Sequence, residues 1–367
     1  MRRIPQLDGI RGIAIILVLV CHYSGGMWPG LFPTFERGSL PSLTLHVLSF
    51  AWSGVDLFFV LSGFLIGGML IDAKENADYF STFYIRRSFR ILPLYFAALA
   101  IGILVGTDQV IHPVWYLTIT QNIWMTIHDD KWIRFGPHIW SLGVEEQFYL
   151  FLPMLLWLTP RYAIRSACIC FIGLAIAIRW AMAWAGLAGT VSMNVLFLAR
   201  MDTLLIGVVC ADLYRDQRVV DWLRANFVWL YGTFAMVAIP VAIILAKDWA
   251  IPMALCGYTL VGLLCALVLL IAMTESHGPI STLTNWAPIR RMGILAYFLF
   301  LVHPLVPQIV SHLTGYLFMP SFENSVLMTV SIAILVIAAE LSWRYFEKPL
   351  ISLGHRLTSE RRLALAA

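Results

Sequence analysis

An arginine and a histidine stand eleven residues apart in the first apolar stretch of the chain, Arg11 and His22. At 100° per residue that separation is 1100°, about 20° from three full turns, so a helix places both on one face, ~16 Å apart along its axis. A fixed cation at one mouth of a helix and a titratable imidazole deeper on the same face suit a long substrate with an anionic head and a reactive tail. Asp8 lies about 40° from His22 on nearly the same face. It serves either that face or a local i,i+3 pair with Arg11.

Carboxylates occur at a similar depth on two other apolar stretches. Asp56 comes nine residues into the stretch that begins at Val47, ~13 Å down, and Glu145 six residues beyond Ile139, ~9 Å down. His22 lies ~8 Å from the outer end of its own stretch. The three therefore share one layer, and an imidazole beside a carboxylate in a dry site is a general base with an orienting partner. Further ionisable residues lie in apolar surroundings: Glu146, Arg179, Arg200, Asp202, His303 and Glu340. Each costs about 2.5–3.5 kcal/mol at a membrane centre, so each marks function or a partner across helices. Arg200 and Asp202 fit structural glue as well as a site, and Glu340 fits packing near a helix end. Arg86, Arg87 and Arg90 form a basic cluster before another apolar stretch. They either hold a loop on the cytoplasmic side or clamp phosphate, whose oxygens match the guanidinium fork.

These residues are embedded in a lipid-soluble chain. Of 367 residues, 60% are hydrophobic and only 13% charged, against about a quarter in a soluble domain, and the mean hydropathy is +0.80. That excludes a soluble globular enzyme, a disordered protein and a disulfide scaffold. No basic tract interleaves with aromatics, so nucleic acid is not expected as a partner. The six cysteines lack metal-ligand spacing, and no metal is expected. Arg2 and Arg3 precede the first apolar run without a small-x-small cleavage site, which predicts an uncleaved first membrane helix.

A bilayer core of ~30 Å needs roughly 20 apolar residues per helix. The pattern predicts ten spans, at 10–28, 47–71, 91–107, 139–159, 166–187, 191–211, 226–246, 252–273, 293–313 and 324–344. The stretch 113–127 is apolar but short and contains Gln121 and Asn122. Arg2, Arg3 and Arg11 place the N-terminus in the cytoplasm, and Arg344, Lys348, Arg356, Arg361 and Arg362 place the C-terminus there. Both ends inside require an even number of crossings, so 113–127 is expected to be a re-entrant or interfacial segment on the outer side. Only Arg37, Lys131, Arg134 and Lys247 then lie outside, with Arg179 and Arg200 in the membrane. The expected fold is an all-α polytopic membrane protein. One membrane domain spans 1–350 and a short basic cytoplasmic tail spans 351–367, too short for a further domain of ~100 residues. There is no Gly-x-Ser-x-Gly elbow, Walker loop, dinucleotide fingerprint or His-Glu-x-x-His.

Five segments carry a resemblance. They are Leu7-Asp8-Gly9-Ile10-Arg11-Gly12 followed by His22; Gly54-Val55-Asp56-Leu57-Phe58-Phe59-Val60-Leu61-Ser62-Gly63-Phe64-Leu65-Ile66; Arg86-Arg87-Ser88-Phe89-Arg90-Ile91-Leu92-Pro93-Leu94-Tyr95; Trp140-Ser141-Leu142-Gly143-Val144-Glu145-Glu146-Gln147-Phe148-Tyr149-Leu150; and Glu347-Lys348-Pro349. In this order they resemble the acyltransferase-3 family of integral-membrane O-acyltransferases. The resemblance implies a ten-helix domain that moves an acyl group, commonly acetyl, from cytoplasmic acyl-coenzyme A to an extracytoplasmic hydroxyl. It implies that Arg11 and His22 are the family's Arg-x10-His pair, that Arg87 and Arg90 are its Arg-x-x-Arg, and that Glu145 is its acid. Ala296-Tyr297-Phe298-Leu299-Phe300-Leu301-Val302-His303 is similar to the family's Ser-Tyr-x-Leu-Tyr-Leu-x-His, with Ala for Ser and Phe for the second Tyr. Some members carry a fused esterase-like domain after the membrane part; this sequence shows none.

Together these readings set the expectations. Arg11, Arg86, Arg87 and Arg90 hold the phosphates of acyl-coenzyme A, with acetyl-coenzyme A as donor. His22 is the base, Glu145 or Asp56 orients it, and Arg200 or His303 stabilises the oxyanion. Acceptor readings are a cell-envelope glycan, a lipid-linked sugar or a small hydroxylated metabolite; the location is the bacterial inner membrane, with lipid as a partner. A proton-coupled transporter is the rival from another class.

Overall fold

The structure is a computed structural model that describes residues 4–23, 50–104, 113–128, 136–246, 250–275, 277–314 and 322–366. Residues 29–46, between the first two expected spans, lie outside the described residues. Every regular element among them is helical: α1 Pro5–Tyr23, α2 Gly54–Ala73, α3 Tyr79–Leu104, α4 Pro113–Leu117, α5 Gln121–His128, α6 Trp140–Leu158, α7 Ile164–Trp184, α8 Val191–Val195, α9 Phe197–Leu213, α10 Gln217–Ala225, α11 Phe227–Ala246, α12 Tyr258–Thr274, α13 Pro279–Asn285, α14 Ala287–Val302, α15 Leu305–Thr314, α16 Phe322–Ser342 and α17 Lys348–Ala366. Among the described residues, eight helical stretches are long and apolar enough to cross a membrane. They match eight of the ten expected spans. The remaining two expected spans correspond to α6, of 19 residues, and to α14, of 16 residues, followed by α15. This is an integral membrane protein with an all-helical fold.

Three boundaries differ from expectation, each for a physical reason. The third span begins at Tyr79, so Arg86, Arg87 and Arg90 sit on the helix itself and not in a loop before it. The end turns of a span tolerate arginine because long side chains reach the interface. The ninth stretch breaks at His303-Pro304, since proline has no N–H to donate and disfavours helix at the residue before it. The last span runs through a five-residue π-turn, Trp343–Glu347, into α17. The chain therefore stays helical across residue 350, and the expected tail docks on α3. Arg86 Nε donates to Thr358 Oγ1 at 2.9 Å, and Gly354 lies against Phe89.

The segment 113–127 is two helices of five and eight residues, α4 and α5, ~7.5 and ~12 Å long at 1.5 Å per residue. Neither can cross a bilayer. Ile119 between them takes a left-handed φ of 55°. Gln121 and Asn122 are buried and bonded to protein: Gln121 donates to the Ile139 carbonyl at 3.1 Å, Asn122 to the Val195 carbonyl at 3.1 Å. Backbone away from regular spanning helices survives at membrane depth only where protein satisfies it.

Lipid tails are as apolar as leucine, so helices in a bilayer gain little from simple apolar burial and rely on close contact at small residues. On α2 and α9, a Cβ added to Gly63 would meet the Leu204 carbonyl and one added to Gly207 would meet the Val60 carbonyl. On α1, Gly12 meets the Ile289 backbone of α14 in the same way. Ala in place of Gly63 is expected to lower stability by about 1–3 kcal/mol, the usual cost of overpacking, read as the midpoint of denaturant unfolding in detergent.

One end of the bundle is basic and tightly tied. Arg215 pairs with Asp72 at 2.7 Å, Arg165 with Asp212 at 2.9 Å, and Arg161 donates to the Ile71 carbonyl at 2.9 Å. Lys74 donates to the carbonyls of Leu156, Trp157 and Thr159, capping the C-terminal end of α6.

Candidate active site

Helix α1 carries Arg11 and His22 on one face, as its period requires. Asp8 pairs with Arg11 at 3.2 Å, so the local i,i+3 pair forms. Around Arg11 stand Arg87 and Arg90 from α3, close enough to repel it, and Glu145 from α6, close enough to attract all three. Arg87 stacks over Tyr149 at 5.6 Å and Phe83 at 6.0 Å. Among the described residues, neither Arg87 nor Arg90 has a hydrogen bond or ion pair to protein. Guanidiniums left without a protein acceptor make a ready site for an anion. Arg86, one residue before Arg87, points 100° away and is occupied with Thr358; it steadies α17 and does not join this group.

Glu145 belongs to the arginine layer, not to that of His22. Ser62 Oγ donates to Glu145 Oε1 at 2.7 Å and Tyr149 OH donates to Oε2 at 3.1 Å. The reason is one of depth. A short 3₁₀ turn, Pro137–Ile139, precedes α6 and brings His138, not Glu145, to the layer of His22. Glu145 is seven residues further along, ~10 Å deeper. Asp56 does not orient His22 either. It accepts from Arg200 at 2.5 Å, and Arg200 lies over the Tyr258 ring at 4.1 Å. Asp202 pairs with Arg179 at 2.8 Å, so the two charges in Arg200-Met201-Asp202 take different partners and tie α9 to α2 and α7. Glu340 pairs with Arg291, joining α16 to α14.

The neighbours of His22 are two other histidines. Ring centroids are 4.6 Å apart for His22 and His303, 4.7 Å for His138 and His303, and 6.3 Å for His22 and His138. Spacing does not single out His138, although its position at the mouth of the fourth span puts it level with His22. Gly136, at φ 62°, lets the chain turn inward there, and an added Cβ would press on the His138 ring. His22 Nδ1 lies 2.7 Å from the Val18 carbonyl. A carbonyl only accepts, so Nδ1 carries the proton and Nε2 presents a lone pair. His303 Nδ1 is held the same way by the carbonyls of Phe300 and Leu299, at 2.8 and 3.2 Å, and Tyr23 OH donates to the His303 carbonyl at 2.6 Å. Neutral His303 thus offers a lone pair at Nε2 and has no proton there to donate to an oxyanion. Among the described residues, no group of three or more His, Cys, Asp or Glu has metal-binding geometry, the three histidines included.

The family model described as an acyltransferase domain matches residues 4–341. The chain belongs to the acyltransferase-3 family. It is similar to the Bacillus subtilis protein named "Putative peptidoglycan O-acetyltransferase YrhL", with 28% identity over 98% of this chain and 57% of that protein. It is also similar to the peptidoglycan O-acetyltransferase OatA of Listeria monocytogenes, with 22% identity over 95% of this chain and 56% of that one. The chain therefore spans little more than half the length of these relatives. No solved structure matches it.

Proposed function

We propose that this acyltransferase-3 protein is a membrane O-acetyltransferase that takes an acetyl group from acetyl-coenzyme A at the cytoplasmic face and passes it to a hydroxyl of an extracytoplasmic glycan in the bacterial inner membrane. The observation that carries the reading is that Arg87 and Arg90, without a hydrogen bond or ion pair among the described residues, stand beside Arg11 on α1, whose same face carries the imidazole of His22 with its Nε2 lone pair free. Names of relatives that specify peptidoglycan O-acetylation support the acetyl group and the glycan class. The positive-inside pattern supports both termini in the cytoplasm and ten crossings.

Arg11, Arg87 and Arg90 hold the donor's phosphates, with Arg87 fixed by its stacking on Tyr149. Glu145, bonded to Ser62 and Tyr149, sets the spacing of these arginines and limits their mutual repulsion. The pantetheine arm runs along the face of α1, and its thioester supplies the activated acyl carbon. His22 Nε2 removes the proton of the acceptor hydroxyl as that oxygen attacks. The buried charges that raise the idea of a carrier are mostly committed to one another, Arg200 to Asp56 and Arg179 to Asp202, which disfavours a transporter.

The test is the purified chain in lipid nanodiscs with labelled acetyl-coenzyme A and an N-acetylglucosaminyl–N-acetylmuramic acid disaccharide. Labelled disaccharide and stoichiometric free thiol are expected; intact donor with vesicle uptake of solute would favour the carrier. In the same assay, Arg87→Ala with Arg90→Ala should raise the donor KM about tenfold or more, the value of one or two charge-assisted bonds, and leave the acceptor KM unchanged. A change confined to the acceptor KM would remove the clamp.

A further inference from the structure

The histidine layer contains more basic nitrogen than a single general base requires, and no carboxylate among the described residues bonds to it. His303 is fully buried and His138 is nearly so. Among the described residues His303 Nε2 has no hydrogen-bond partner, and the ring nitrogens of His138 have only the carbonyls of Phe300 and Leu301 nearby, outside good hydrogen-bond geometry. Buried polar atoms are paired in nearly all native structures, so an unpaired His303 Nε2 beside the poorly satisfied ring of His138 calls for an explanation. The rings form a bent chain, His22 to His303 to His138, that turns through close to a right angle at His303, each in edge contact with the next. Among the described residues the titratable groups facing this cluster are the three histidines themselves and Tyr23, whose hydroxyl is spent on the His303 carbonyl.

We propose that His303 and His138 are a proton relay for His22, so that the proton from the acceptor hydroxyl is held by a group of three imidazoles. The inference rests on His22 being the base. The hydroxyl O–H bond breaks and its proton goes to His22 Nε2. The oxygen forms a bond to the thioester carbonyl carbon, the carbon–sulfur bond breaks, and the sulfur leaves as thiolate. Meanwhile the proton moves from His22 Nε2 to the His303 Nε2 lone pair, whose Nδ1–H stays on the Phe300 carbonyl, and is shared with His138. It returns by the same path to the thiolate, giving free thiol and the acylated oxygen, with no oxidant, metal or other reactant. The relay does the work that a carboxylate does beside a lone catalytic histidine. It stabilises the imidazolium without a permanent charge in the membrane.

Two measurements test this on the full chain in nanodiscs. In ¹⁵N spectra of histidine-labelled protein without substrate, the three rings should take up protons as one coupled group. The second proton should enter about one pH unit or more below the first, because adjacent imidazoliums repel. His138→Gln should remove one titration and shift the other two, with spectra that also report whether the fold is kept. In the acetyl-coenzyme A and disaccharide assay, His138→Gln and His303→Asn should each lower kcat about 10- to 100-fold, less than loss of the base, with the donor KM unchanged. Mixtures of H₂O and D₂O should give a curved rate dependence in the native chain and a less curved one in His138→Gln, since fewer protons then move together. Independent titration of the three rings, a linear dependence in both proteins, or His138→Gln turnover within twofold of native would overturn the relay. Native turnover in His22→Ala would instead overturn the function it rests on, whatever the titrations show.

Discussion

Replacing His22 with alanine is expected to lower kcat for acyl transfer by about 10²–10⁴-fold, the range that a positioned general base contributes. The direction follows from one hydrogen bond. With Nδ1 fixed on the Val18 carbonyl, the ring cannot turn its proton toward the substrate, and the Nε2 lone pair is the group left to accept one. Alanine removes that lone pair and leaves the arginine layer ~16 Å away untouched. Binding of labelled acetyl-coenzyme A by the variant should therefore match the native chain while free-thiol release collapses. Loss of both together would mean that the variant has lost its fold or that His22 acts in binding. His22→Gln restores a hydrogen-bonding side chain but no basic nitrogen, and it should be as inactive as alanine. A glutamine variant with native turnover would leave His22 a structural histidine.

What could be read beforehand was whatever depends on distance within one helix. The shared face of Arg11 and His22 follows from the helix period alone, and the Asp8–Arg11 pair from i,i+3 proximity. The short apolar stretch with Gln121 and Asn122 announces its own failure to span, since two amides need protein partners and a crossing helix needs more length. What depends on register between helices was not legible. Asp56 and Glu145 can be placed by depth only if the first residue of each helix is known. The chain turns inward at Pro137–Ile139, ahead of α6, so the residue level with His22 is His138, seven residues and about two helical turns before Glu145. Arg200 has Asp202 two residues away in sequence, yet a helix turns those side chains 200° apart, so each finds a partner on another helix. The break at His303 is visible in Pro304 but is masked by the apolar run on either side. That break leaves the His303 ring to be held by the last carbonyls of α14.

The largest stability effect is expected at the Arg179–Asp202 pair. Both side chains are fully buried. Arg179 also donates to the Ala199 carbonyl at 2.5 Å and to Thr259 Oγ1 at 2.6 Å, while Thr259 donates to Asp202 at 2.6 Å. Arg179→Met keeps the apolar stem and removes the charge, so the Asp202 carboxyl is left buried without its counter-charge, with one hydroxyl for company. Removing one partner of a buried pair costs about 3–5 kcal/mol, and an aspartate in the apolar core has no water to fall back on. The midpoint of unfolding in mixed detergent should drop accordingly. Adding Asp202→Leu to that variant removes the stranded carboxyl and should return most of the lost stability, since an apolar replacement of a buried pair is often neutral or better. That recovery separates two roles. If Arg179 and Asp202 only cancel each other while tying α7 to α9, the double variant regains both stability and turnover. If stability returns and turnover does not, the pair also shapes the reaction through the neighbouring Arg200.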